Sequence, residues 1–447
     1  SLPSLAVHTG FMGNATGLRG YRVGIDASGW MYRACMRHGI TESPELVALF
    51  SRCSRLFRLP FIPIFVFDGP ERPSMKRGKV INGNAHWLEA SFQQMLDGFG
   101  FDWITAPGEA EATLSVMTNM GIPVRVDAIL TDDSDSFVFG AAAVLRIRSE
   151  DNEKYEASLY SAHDVLEVLG LNREDFVLIA ILAGGDYSDG LAKCGIKIAI
   201  GLARAGLGRQ LIAGLSGKSP TESRLFLESW CDCLRSELRT NASNHLPHQC
   251  KQLALAIPLD FPDLAVINLY LHPVISEHAA PTELGFQSPR LGVLASFAEE
   301  HFQWGDSIGI LGHFTEQLFG GLVVRELTCS ALASDPGANG LNSPSIIKSI
   351  VGSRNHKSMG HLSELRLMLC LDPIILTSAL HSLIGSRDPE GGAQTAVTAW
   401  FSTAFPKIRV WAPKAMVEQV HPEMVLDYLC GQGMLVYCIL YRHNLVF

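Results

Sequence analysis

Apolar residues gather in short runs that stop at an acid. "YRVGID" ends at Asp26, "FIPIFVFD" at Asp68, "FDWITAPGE" at Glu109, and "VDAILTDDSD" at Asp133 and Asp135. A fifth run, "AVLRIRS", follows. Between the runs, apolar residues recur every three or four positions. Leu46, Leu49, Phe50, Cys53, Leu56 and Phe57 do so in "SPELVALFSRCSRLFRL", and Leu88, Phe92, Met95 and Leu96 in "AHWLEASFQQMLDGFG". Ser43 is the expected N-cap of the first of these helices, with Pro44 at its first position; the second is expected from Ala85. Short apolar strands alternating with amphipathic helices predict an α/β fold with a mainly parallel sheet flanked by helices. Such sheets carry their chemistry at the carboxyl ends of the strands, which is where these acids fall.

Beyond residue 170 the pattern turns helical. "NREDFVLIAILAGGDY" predicts an apolar helix that stops at Gly184-Gly185-Asp186. "SDGLAKCGIKIAIGLARAGLG" reads as two short helices around a glycine-containing turn. The expected division is a core over 1–210, a helical extension over 211–333, a linker over 334–345 by its Gly, Pro, Asn and Ser content, and a small separate module over 346–447. Two strands are expected in that module, "ELRLMLCL" and "KIRVWAP".

Composition narrows the class. The 447 residues are 47% apolar and 18% charged, which suits a folded, core-forming chain of two or three domains. No stretch reaches the roughly 18 uninterrupted apolar residues of a membrane span, and "SLPSLAVHTG" lacks the basic-then-apolar order of a secretory signal. Ten cysteines without framework spacing are expected as reduced thiols of a cytosolic or nuclear protein. The net charge of −9 argues mildly against a polyanion partner. That argument weakens if the acids hold divalent ions, which invert the local field.

Asp26, Asp68, Glu109, Glu111, Asp133, Asp135 and Asp186 can meet at one sheet end. Hard oxygen donors without neighbouring His or Cys suit Mg²⁺ or Mn²⁺. Seven are too many for one Mg²⁺ and suit two ions about 3.5–4 Å apart, the arrangement of in-line phosphodiester hydrolysis. Residues i and i+2 of a helix point about 200° apart, so Glu109 and Glu111 share a site only if Glu109 lies at or before the first turn; Pro107-Gly108 allows that. A plain acidic helix start favoured by the dipole is the bland reading of that pair. Asp132 is expected to face solvent or a turn, opposite Asp133. A glycosidase acid pair is a rival reading, but it needs no cluster of this size.

Together "VGIDAS", "FVFDGP", "APGEAEA", "LTDDSDSFVFG", "GGDY" and "GLAKCGIKIAIGLA" resemble, in order over residues 21–205, the XPG/flap-endonuclease superfamily of structure-specific 5′ nucleases. The chain is most similar to its Gen/Yen Holliday-junction resolvase branch. The resemblance implies a PIN-like core, a divalent-metal-dependent endonuclease acting near branch points of four-way junctions and 5′ flaps in repair and recombination, and a nuclear location. It implies the seven acids as metal ligands and catalytic groups. It also implies a monomer in solution that pairs on junction DNA. "DYSDGLAKCGIKIAIGLA" resembles the family's helix–two-turn–helix, which implies DNA contacts at Gly190, Lys193, Gly195 and Lys197 and a K⁺ ion there. Lys193-Cys194-Gly195 stands where the family has Gly-hydrophobic-Gly. The bland alternative is an ordinary helical hairpin with surface lysines.

Flap endonucleases carry a helical arch between the positions of Asp68 and Glu109. Here residues 71–84 are short, contain Gly78 and Gly83, and are basic through Lys76, Arg77 and Lys79, which suits phosphate contacts. So short a segment predicts an open arch that admits a branch without threading a free end. Two alternatives stand beside the junction reading: a strict 5′ flap endonuclease, and a catalytically silent PIN-like nucleic-acid binder. The C-terminal module resembles the chromodomain-like region of Gen proteins. Cys231, Cys233, His245, His248 and Cys250 could bind zinc, against which stand the unusual C-x-C spacing and the frequency of buried thiols. Trp30, Tyr32 and Arg33, next to Asp26, suit either DNA contact or, for Trp30, core packing.

Overall fold

The computed structural model describes residues 5–7, 10, 20–36, 42–81, 84–119, 125–149, 156–275, 287–333, 346–355, 362–370, 373–381, 383, 392–404 and 408–432. The expected linker at 334–345 and Gly83 lie outside them. Six strands form the central sheet: β1 (Tyr21–Asp26), β2 (Phe61–Phe67), β5 (Asp102–Thr105), β6 (Ala128–Leu130), β7 (Ala143–Ser149) and β8 (Glu156–Ser161). Their order is β5-β2-β1-β6-β7-β8. All neighbours run parallel except β8, which closes the edge antiparallel to β7. The sheet is covered on both faces, so β2 is buried at every residue and reads as a continuous apolar run.

Phe65 and Phe67 face a large core with Trp30, Phe92 and Phe99, while Ile64 and Val66 face a smaller one with Leu114, Ile129 and Val144. A third core joins the helices Arg173–Ala183, Ile196–Arg204, Leu207–Leu215 and Pro220–Thr240. The first core does not stop at the sheet. It runs through Phe297, Phe302, Phe314 and Phe319 into Leu365, Leu367 and Val425. The C-terminal segment thus shares its interior with the helices between 291 and 333. Arg325 fastens that layer to the sheet, its guanidinium donating to the carbonyls of Gly100 (2.7 Å) and Gln287 (2.9 Å).

The C-terminal segment holds a three-stranded antiparallel sheet, β11-β10-β9. The strands β10 (Ser363–Leu369) and β11 (Arg409–Pro413) lie on the two expected runs, and β9 (Ile347–Asn355) is a third. Three further details differ from expectation. Ser43 stands at the expected N-cap of the helix Pro44–Phe57, but its backbone is left-handed (φ 48°) and its side chain makes no cap bond. The helix expected from Ala85 begins at Glu89, after a turn in which the His86 side chain takes the Leu88 amide. Cys430 is disulfide-bonded, against the expectation of ten reduced thiols; its partner lies outside the described residues, and the eight other described cysteines are free. Among the described residues no single helix is long and apolar enough to cross a membrane.

Candidate active site

Each of the seven acids stands where an element ends or begins. Asp26 closes β1 and caps the helix Ala27–Cys35, accepting the amides of Ser28 (2.8 Å) and Gly29 (3.2 Å). Asp68 follows β2. Its Oδ1 accepts the Ala110 amide (2.9 Å), and its Oδ2 accepts the Ser28 hydroxyl (2.8 Å) and Arg72 Nη1 (3.3 Å). Glu109 has extended backbone (φ −84°, ψ 137°) just before the helix Ala110–Met117, and Glu111 lies in that helix's first turn. This break from helical geometry lets two acids one residue apart serve one site. After β6, Asp133 donates its amide to Thr131 Oγ1 (3.0 Å) and accepts the Asp135 amide (3.1 Å). Asp186 follows the end of the helix Arg173–Ala183, past Gly184.

The carboxylates crowd one another. Burial, then the charge of Asp68, pushes Asp26 up to about 7 against the Ser28 and Gly29 amides. Burial, then Asp133 and Asp186, pushes Asp135 up to about 7. Burial, then Asp26, Asp133 and Asp135, holds Glu111 well above the carboxylate range. Asp186 alone of these is lowered. Burial raises it, but Lys76 and Arg77 together outweigh burial.

The charge that answers Asp186 comes from a two-stranded ribbon, β3 (Met75–Lys76) and β4 (Lys79–Val80). Arg77 (φ 49°) and Gly78 (φ 68°) form its two-residue turn, both left-handed as a type I′ turn requires. Lys76 Nζ pairs with Glu109 and with Asp186 Oδ2 (2.9 Å). Arg77 donates Nε and Nη2 to Asp186 Oδ1, both at 2.8 Å, and its amide to the Asp186 carbonyl (2.7 Å). The Tyr187 hydroxyl donates to Glu109. Lys76 and Arg77, expected as phosphate contacts on an arch, therefore pair with the acids, Lys76 mostly buried and Arg77 still exposed, as is Lys79. Carboxylates short of counter-charge recruit the nearest cations. Among the described residues no three acid, His or Cys side chains converge closely enough to ligate an ion as they stand; the Lys76 ammonium is among them. Hard oxygen donors whose protonation is raised by mutual repulsion nonetheless fit divalent cations.

The expected helix–two-turn–helix is present as the helices Arg173–Ala183 and Ile196–Arg204 with residues 184–195 between. Lys193, Gly195 and Lys197 are exposed. A Cβ on Gly195 would meet nothing within 4 Å, so the start of the second helix is open to a ligand. Gly190 serves the fold: a Cβ there would lie 2.4 Å from the Gly184 nitrogen. Lys193, where the resembled family has glycine, adopts φ 71°. The local backbone thus keeps a glycine's conformation under a lysine.

Other side chains resolve into structural roles. Trp30 is buried, edge-on to Phe65 at 5.1 Å, with the Arg52 guanidinium 4.1 Å above its ring. Tyr32 is exposed. Asp132 does turn away from the cluster, but it pairs with Arg33 and its carbonyl accepts from Arg146, a role its spacing did not disclose. Cys231 is buried and donates to the Phe261 carbonyl (3.0 Å), whereas Cys233, about 200° round the helix, is exposed.

Residues 100–186 match the XPG I-region family. The DNA repair protein RAD2 of Saccharomyces cerevisiae is 29% identical over 212 residues, which cover 47% of this chain and 19% of RAD2. Flap endonuclease GEN homolog 1 of Mus musculus is 29% identical over 193 residues, 38% of this chain and 21% of that protein. The chain thus spans about a fifth of the length of these curated relatives. A crystal structure of the Holliday junction-resolving enzyme GEN1 with product DNA and Mg²⁺ superposes at a TM-score of 0.70 and 29% identity, covering 97% of this chain and 96% of that one. The homologues are nucleases of the Rad2/XPG, flap-endonuclease and GEN1 groups, and the α/β fold with its mainly parallel sheet is theirs.

Proposed function

We propose that this chain is a divalent-metal-dependent, structure-specific DNA endonuclease that hydrolyses a phosphodiester near branch points. The observation that carries the reading is the mutual electrostatic crowding of Asp26, Asp68, Glu111, Asp133, Asp135 and Asp186, with Glu109 joined to Asp186 through Lys76, beside the carboxyl ends of the parallel strands and the adjoining helix ends. These acids would hold two Mg²⁺ or Mn²⁺ ions, which supply an activated water and neutralise charge on the phosphate and the leaving oxygen. The similar GEN1 structures contain Mg²⁺, and Mn²⁺ in one case, which supports the assignment.

The rest of the machinery is the chain's own. Asp68 is oriented by the Ala110 amide and the Ser28 hydroxyl, and Asp26 by two helix amides. Lys193, Lys197 and the open helix start at Gly195 would hold one phosphate strand of duplex DNA. A K⁺ ion at this turn is part of the proposal, supported by a similar GEN1 structure solved with potassium. Nuclear repair and recombination, pairing of two copies on a junction, and the division into a nuclease core (1–210), helical extension (211–333), linker and chromodomain-like C-terminal region complete it.

A bulky protein cap on the 5′ end of a flap is not expected to stop cleavage, because the short hairpin Met75–Val80 is too small to form a closed helical arch. A four-way junction without a free end is expected to be cut with Mg²⁺. Cleavage of capped flap and intact junction is compared side by side, with Asp26→Asn as the blank. Loss of both cuts with an uncapped flap still cleaved makes the chain a threading flap endonuclease; no Mg²⁺-dependent cut of any substrate makes it a binder.

Lys193→Gly separates fold from contact. Relieving the left-handed lysine is expected to stabilise the protein by roughly 1 kcal/mol, since that conformation costs L residues about this much. Losing the ammonium is expected to lower the slope of log K against log salt by about one. Denaturant midpoints and salt titration of duplex binding read the two effects. An unchanged slope would take Lys193 off the DNA.

A further inference from the structure

Trp87 is 67% exposed, although the next residue, Leu88, is buried at 1%. The chain anchors one side of this turn in the core and presents an indole on the other. His86 lies against the indole, ring centroids 5.8 Å apart and planes 28° apart. His86 Nδ1 accepts the Leu88 amide (3.2 Å), and the His86 carbonyl accepts the Glu89 amide (2.8 Å). The turn is therefore fixed at both ends by hydrogen bonds at the start of the helix Glu89–Phe99.

Its position is tied to the acids. Arg72 donates Nη1 to Asp68 Oδ2 (3.3 Å) and Nη2 to the Asn84 carbonyl (3.0 Å). Trp87 is three residues beyond Asn84, a reach of at most about 11 Å from the Arg72 bridge. The hairpin that precedes it in the chain exposes Lys79, the Arg77 side chain, Met75 and Val80. Cations interleaved with exposed apolar and aromatic groups suit a strand that offers both phosphate and base faces. In continuous duplex those faces are covered by neighbouring bases; at a branch point one is left free.

We propose that Trp87, backed by His86, is the stacking platform for the unpaired nucleobase left open where a DNA strand leaves the branch. The proposal rests on the nuclease reading and names how the site senses a branch. Base–aromatic stacking is a main source of single-strand affinity, so the expected loss on removal is about tenfold in affinity.

The test uses the full chain with Ca²⁺ in place of Mg²⁺ and a 5′ flap carrying 2-aminopurine in turn at each nucleotide flanking the branch. Wild type is expected to change 2-aminopurine fluorescence sharply at one or two of these positions. Trp87→Ala is expected to abolish that change and to weaken flap binding about tenfold, with linear duplex affinity and thermal melting unchanged; Trp87→Phe retains most of both. Equal weakening on flap and linear duplex, or an unchanged 2-aminopurine response in Trp87→Ala, overturns the platform while leaving the nuclease reading intact. Absence of flap binding by wild type overturns both.

Discussion

Asp133→Asn is expected to remove cleavage, by on the order of a thousandfold or more, and at the same time to raise the melting temperature of the metal-free protein. Both effects come from one carboxylate. Asp133 adds to the repulsion that raises Glu111 and Asp135, so an uncharged amide of the same shape relieves the apo site. The side-chain oxygen still accepts the Asp135 amide, the 3.1 Å bond that shapes the loop. The same charge is needed to hold a divalent ion whose Lewis acidity is worth several kcal/mol at the transition state, and each 1.36 kcal/mol is a factor of ten in rate. DNA binding is expected to persist, because the proposed contacts are Lys193, Lys197 and backbone, none of which is altered. Steady-state cleavage, a thermal melt in EDTA and a binding titration in Ca²⁺ read the three quantities. Wild-type turnover at saturating Mg²⁺ would remove Asp133 from the metal site. A lower melting temperature in EDTA would show that its charge does not strain the apo protein.

Asp26, Asp68 and the Asp133–Asp135 pair could be picked out because inner parallel strands make apolar runs that stop just before them. The position of Glu109 was legible for a related reason: Pro107-Gly108 bars a helix from starting earlier. What escaped depends on partners far along the chain. Nothing local to "MKRGK" states that Lys76 and Arg77 meet Asp186, 109 residues beyond Arg77. Arg33 and Asp132, 99 residues apart, are a second such pair. β9 was missed because its pairing with β10 shifts register twice, so Ile347 and Ile350 break the two-residue alternation that marks a strand. β8 was missed because it is an edge strand with Leu159 and Tyr160 exposed; little of it is buried, and burial is what writes a pattern into a sequence. Ser43 had the residue type of a cap without its backbone conformation, which tertiary packing sets.

The hairpin that escaped the sequence gives the remaining large effect. Lys76→Ala is expected to lower apo stability and to tighten divalent-ion binding, two changes of opposite sign. Its side chain is about three-quarters buried, and its ammonium pairs with Glu109 and Asp186. Burial alone would lower its pKa, and those two carboxylates overcome that and raise it. Removing it leaves Glu109 and Asp186 facing Asp26, Glu111 and Asp135 with less counter-charge. Breaking a buried pair by deleting one partner costs about 3–5 kcal/mol; with part of the ammonium in solvent, a loss of about 2 kcal/mol is expected. A cation that must be displaced before divalent ions enter weakens their binding by the work of displacement. Its removal is expected to tighten Mn²⁺ by about tenfold, equivalent to 1.4 kcal/mol. Calorimetric Mn²⁺ titration of the DNA-free chain measures the affinity, and melts with and without Mn²⁺ measure the stability. The span between those two melts should widen in the variant. Lys76→Arg, which keeps the charge, should restore both the apo melt and the weaker Mn²⁺ binding. If Lys76→Ala leaves Mn²⁺ affinity unchanged or weaker, the ammonium does not stand where the ions go, and the hairpin is a brace on the acids rather than their stand-in charge.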